Sequence, residues 1–154
     1  MEVGTDTYIS LADADAYVTS RFVGADPDRV RWEALANGDK EIYLLNACRA
    51  IDTLPLQGEA LRAGQTLAFP RARPALPEVP ETVKLAQAEL ALWLSDSASR
   101  ADGNLKLGLQ AQGVSGISLG STSMSFGLSG GEKSTAFVCP RAAELLKRYV
   151  YGGY

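Results

Sequence analysis

Apolar positions recur at helical spacing over most of the chain. Leu11, Ala14, Val18 and Phe22 share one face behind Ser10 and Asp13, a capping-box pair with Asp in place of Glu, which predicts a helix over about 11–22. Asp26-Pro27 supplies an N-cap and an N1 proline for a short helix carrying Val30, Trp32 and Leu35, ending at Asn37 and Gly38. Asp39 then caps a third helix with Leu44, Ala47, Cys48 and Ile51 at i, i+3, i+4, i+7, stopped by Pro55. Residues 56–80, with Gly58, Gly64 and prolines at 70, 74, 77 and 80, predict an extended, stiff connector. From Pro80 a fourth helix carries Val83, Ala86, Gln87, Leu90 and Leu94 on one side, with Trp93 adding bulk. Pro140 opens another, with Ala143, Leu145, Leu146 and Tyr149.

Between the last two helices the period changes. Ile117 and Leu119 alternate with Ser118 and Gly120, and Met124, Phe126 and Leu128 with Ser125 and Gly127, the period-2 pattern of strands. The two runs are expected to pair around residues 120–123. Residues 107–131 carry no charged side chain, and an isolated hairpin is marginal in water, so the pattern implies a partner or neighbouring subunit that completes it. The expected architecture is mainly α, a small helical bundle with a protruding β-hairpin arm. It forms a single domain over 1–154, comprising a helical core 8–100, the arm 103–135 and a C-terminal helix and tail 139–154.

Composition narrows the chemistry. Fifteen Lys and Arg stand against eighteen Asp and Glu, a formal net charge of −3 with neither sign gathered in a block, so no basic stripe marks a nucleic-acid binder. There is no histidine, which removes the usual general base and metal ligand. Cys48 and Cys139 lack CxxC spacing, specify no zinc site, and are read as reduced. The polar, acidic residues 1–7 lack the apolar core of a signal peptide, and no apolar run reaches a membrane-spanning length, so the expectation is a soluble product made in a cytoplasm.

Candidate motifs resolve mostly into structure. In Ser129-Gly130-Gly131-Glu132-Lys133-Ser134-Thr135, Glu132 interrupts the Gly-Lys step that a phosphate loop needs. Asp13, Asp15, Asp26 and Asp28 have no calcium-loop spacing and read as caps and solvated faces. Arg71-Ala72-Arg73-Pro74-Ala75-Leu76-Pro77 has the form of a polyproline ligand and also of a stiff connector. Trp32 and Trp93 lie on amphipathic helices and read as core. Tyr149, Tyr151 and Tyr154, with Lys147 and Arg148, form an aromatic, basic tail suited to an interface or to fraying.

Three stretches together resemble one family: residues 7–17, from Thr7-Tyr8-Ile9-Ser10 onward; Gln65-Thr66-Leu67-Ala68-Phe69-Pro70-Arg71; and residues 80–94, with Val83-Lys84 and Ala88-Glu89-Leu90. The chain is similar to the tailed-bacteriophage head-tail connector adaptors, or head-completion proteins, which often carry the label DnaT-like single-stranded-DNA-binding protein. It departs from them at Leu56, where members tend to have an aromatic residue. The resemblance implies no catalysis, and a structural protein of the virion, present in the host cytoplasm during assembly. Its implied form is a homo-oligomeric ring of about twelve subunits in the phage neck. The implied partners are the portal protein, a tail-side neck or stopper protein, and double-stranded DNA passing through the lumen without specific binding.

On that reading Val114, Ile117, Leu119, Met124, Phe126 and Leu128 fill pockets on the neighbouring subunit. Lys147, Arg148, Tyr149, Tyr151 and Tyr154 dock on the portal or tail, so that deletion from Lys147 onward leaves the fold and abolishes assembly. The alternative is a single-stranded-DNA-binding accessory replication protein, with Trp32, Tyr43 or Trp93 stacking on bases and Arg71, Arg73 and Lys84 reaching phosphates. A hydrolase ranks third, since there is neither histidine nor a serine elbow.

Overall fold

Helix starts follow the local chemistry of the chain. Ser10, in extended backbone, accepts from the Asp13 amide at 3.1 Å through its hydroxyl oxygen and opens α1, Leu11–Arg21. Asp26 does the same for the Asp28 amide at 2.9 Å, with Pro27 as the first residue of α2, Pro27–Ala34. Helix α3, Asn37–Asp52, begins two residues before the expected Asp39 cap. Asn37, Gly38 and Asp39 form its first turn, where Asp39 faces the positive end of the helix dipole instead of capping it. Helix α4, Glu81–Leu94, follows Pro80, and α5, Pro140–Leu146, follows Cys139 and tightens into a 3-10 turn at Lys147–Tyr149. This computed structural model describes residues 1–73, 75–98 and 139–151, and the backbone of 116–119 and 122–125.

The molecule is mainly helical, and α4 is its axis: α3 and α5 pack against it most extensively, and α1 touches it as well. Every residue from Ala86 to Leu92 is buried, so α4 is covered nearly all round rather than along the single stripe its apolar spacing predicts. Gln87, fully buried, satisfies its amide completely. It accepts from the Tyr8 amide at 2.9 Å and donates to Thr7 Oγ1 at 2.6 Å and the Leu44 carbonyl at 2.8 Å. On the other side of the bundle Asp15 accepts both the Trp32 indole N–H, at 2.7 Å, and the buried Lys40 ammonium, at 3.0 Å, fixing α2 and α3 to α1. Asp15 is thus a tertiary link and not a solvated face.

The connector expected to be extended and stiff folds back on itself, with antiparallel bridges between Ala60 and Arg71 and between Arg71 and Leu76. Arg71 is buried and donates to the Gln57 carbonyl at 2.7 Å, the Ala68 carbonyl at 3.0 Å and the Gly58 carbonyl. Gly58 has φ +79°, and a Cβ there would lie 1.2 Å from the Arg73 carbonyl oxygen, so only glycine fits.

Two expectations about the C-terminal part change. Tyr149 is buried rather than presented at a surface: its ring meets Phe69 edge-on at 5.5 Å, and its hydroxyl lies 2.8 Å from Thr82 Oγ1. Val150 bridges Leu56, while the Gln57 amide donates to the Tyr149 carbonyl at 2.7 Å and the Tyr151 amide to the Pro55 carbonyl at 2.9 Å. Lys147, Arg148 and Tyr151 are exposed, and Tyr154 lies outside the described residues.

In the uncharged region, Gly116–Leu119 and Thr122–Ser125 pair antiparallel, with Ile117 opposite Met124 and Leu119 opposite Thr122. Val114, Phe126 and Leu128, and the joining of this pair to the bundle as an arm, lie outside the described residues.

Because Tyr149 and Val150 close the core, deletion from Lys147 onward should destabilise the fold instead of leaving it intact. Tyr149→Ala alone should cost about 3–5 kcal/mol, in the range of large aromatic truncations. Urea unfolding followed by circular dichroism checks this, and an unchanged midpoint would refute the closing of the core by the strap of residues 147–151.

Candidate nucleic-acid interface

Four helices meet around one open groove of about 300 Å³, lined by Arg21, Asp28, Arg31, Glu89, Leu92, Trp93, Cys139, Pro140 and Arg141. Arg21 is the last residue of α1, Arg31 lies on α2, Glu89 and Trp93 on α4, and Arg141 in the first turn of α5. Three guanidinium groups therefore converge on two carboxylates and one half-buried indole.

Each cation is held differently. Arg31 donates to Asp28 Oδ1 at 2.8 Å and reaches Ser95 Oγ at 3.2 Å and the Leu92 carbonyl at 3.4 Å. It thereby brings a positive charge from α2 to the C-terminal end of α4, whose own last turn has none. Arg21 forms an ion pair with Glu89 and lies 4.4 Å from the centroid of the Phe22 ring. Arg141, 54% exposed, reaches Glu89 at 4.0 Å, too long for a direct hydrogen bond. The Glu89 side chain is only 4% exposed and accepts the Tyr17 hydroxyl proton at 2.5 Å. A carboxylate this buried is tolerated only because it is paired and hydrogen-bonded.

The residues named from sequence for DNA contact do not gather here, with one exception. Trp32 is buried and its N–H is committed to Asp15, so it offers no face for stacking. Tyr43 is half-buried against the core. Arg71 is consumed by backbone carbonyls, Arg73 is exposed on the connector, and Lys84 pairs with Glu81 at 3.2 Å. Trp93 alone lines the groove. Arg21, Arg31 and Arg141 were missed because they come from three separate helices. The available signal was Glu89, a charge amid the apolar residues 88–92.

Other titratable groups are structural. Burial and the hydrogen bond to Glu89 push the Tyr17 hydroxyl up to about 12. Burial, with Asp52 nearby, raises the Cys48 thiol to about 12, and burial raises Cys139 as well. Both cysteines are free and buried. The Tyr8 hydroxyl donates to Asp52 and is raised above its ordinary value by burial first and by that carboxylate second. Among the described residues no cluster of His, Cys, Asp or Glu could hold a metal ion, and no helix is long and apolar enough to cross a membrane.

Residues 1–153 match the family described as "Putative DnaT-like ssDNA binding protein". No curated protein and no solved structure matches the chain. The match corrects the expectation of a virion neck adaptor: the family is described by single-stranded DNA, the alternative on the sequence, and nothing supports portal, tail or ring partners.

Two outcomes follow for the groove and its surroundings. An aromatic disulfide reagent should label neither Cys48 nor Cys139 in the native protein and both in denaturant; rapid native labelling would contradict their burial. Tyr17 is held protonated in the fold, so its contribution to stability is complete below pH 10 and is lost as pH rises toward about 12. Urea midpoints measured across that window should fall more steeply for the wild type than for Tyr17→Phe.

Proposed function

The chain belongs to this DnaT-like family, and from that premise we propose that it binds single-stranded DNA in the groove between α1, α2, α4 and α5. The observation that carries the reading is that Arg21, Arg31 and Arg141 line one groove together with Trp93. Single-strand binding without sequence preference combines cations that follow the phosphates with an aromatic face on which a base stacks. An open groove with one indole accommodates one stacked base and the phosphates next to it. The protein acts by holding the strand, with no bond-making step.

The local charge sets the strength. Three arginines against Asp28 and Glu89 leave a modest excess, so binding is weak in salt and short in footprint. Each phosphate neutralised on a single strand contributes about −0.7 to the slope of log K against log salt, so three arginines set a ceiling of about −2, and the wild type, with Arg21 on Glu89 and Arg31 on Asp28, falls short of it. Fluorescence anisotropy of a labelled oligothymidylate at several salt concentrations measures it. Arg141→Ala, at an exposed site, should weaken binding several-fold and flatten the slope, and Trp93→Phe should abolish the quenching of tryptophan emission by the oligonucleotide. Binding that ignores salt, or is unchanged in Arg141→Ala, would remove the groove from consideration.

A further inference from the structure

We propose that Glu89 is a resident counter-anion of the groove, which occupies Arg21 and Arg141 in place of a phosphate and so limits affinity for the strand. The inference rests on the single-stranded-DNA reading and adds to it how the site is regulated. Glu89 is held from two directions within the bundle, by the Tyr17 hydroxyl at 2.5 Å and by Arg21. Arg141 is its loosest partner, at 4.0 Å and 54% exposed.

The three partners are therefore unequal. If Arg21 or Tyr17 left, a carboxylate that is 4% exposed would lose a close partner, which a buried charge resists. Arg141 can turn from the carboxylate to a phosphate oxygen while Tyr17 and Arg21 keep Glu89 satisfied. A phosphate offers the same planar guanidinium the bidentate geometry that a carboxylate does, so the exchange is between like ligands. Arg141 is the exchangeable arm, Arg21 the fixed one, and Glu89 the competitor.

Glu89→Gln tests this, because the amide oxygen still accepts the Tyr17 proton while the negative charge is gone. Affinity for an oligothymidylate at low salt should rise about tenfold, and the salt slope should steepen by about 0.7 to 1.4, one or two further phosphates. Glu59→Gln, an exposed carboxylate outside the groove, makes the same change in net charge and should alter affinity less than twofold. A folded Glu89→Gln that binds no better than wild type, or a gain matched by Glu59→Gln, overturns the inference while wild-type binding leaves the reading standing. Absence of binding by both wild type and Glu89→Gln removes the reading and the inference together.

A measurement on the wild type covers the case in which Glu89→Gln does not fold. The arginine side-chain Nε resonances, followed by NMR during titration with the oligothymidylate, should show Arg141 shifting and Arg21 remaining in place. An unmoved Arg141 signal at saturation overturns the exchange.

Discussion

The bundle hangs on the amide of Gln87. Its oxygen and nitrogen take up a main-chain amide from the N-terminal segment, a hydroxyl from Thr7 and a carbonyl from the middle of α3. Two separate parts of the chain, the N-terminal segment and α3, are thus located relative to α4 by one side chain. A hydrophobic residue of similar size would fill the space and leave the Tyr8 amide without its partner, a buried loss that packing does not offset. From Tyr8 the order passes on: its hydroxyl reaches Asp52 and accepts from the Phe69 amide, and its ring meets Phe69 edge-on at 5.8 Å. Phe69 in turn meets Tyr149, whose hydroxyl returns to α4 at Thr82.

Glu89 lies two residues beyond Gln87, and residues so spaced on a helix face different ways. The same helix therefore presents a neutral, saturated amide to α3 and a charged carboxylate to α1 and α5. The first organises the interior, and the second gathers cations at its edge. This division explains why α4 is covered on nearly all sides and yet borders a groove rich in arginine.

How much of this could be read in the sequence depends on the range of the forces involved. Caps at Ser10 and Asp26 and the prolines at 27 and 140 act within a few residues, and the helices begin where those residues place them. The start of α3 was misplaced because Asn37 and Asp39 both have capping side chains; the chain uses neither, and Ala36 holds the cap position. The folded-back connector was misread because Arg71, whose type is usually exposed, supplies the hydrogen bonds that hold it. Tyr149 looked like an interface residue because nothing local reveals that Phe69 awaits it. The net charge of −3 argued against DNA, but net charge averages over the whole surface, whereas a phosphate meets only the few groups at one place.

The strap formed by residues 147–151 also bears on synthesis. Leu56 and Val150 pair across most of the chain's length, and α4 is not covered until α5 has packed on it. Such long-range closure is slow and cannot begin before Val150 has been made. On the ribosome, α1, α2 and α3 can form early, but the Phe69 and Thr82 side of the core remains open until Tyr149 and Val150 have left the exit tunnel. Apolar surface on α4 is thus exposed from the synthesis of Leu92 until that of Val150, and is covered in a single step when α5 arrives.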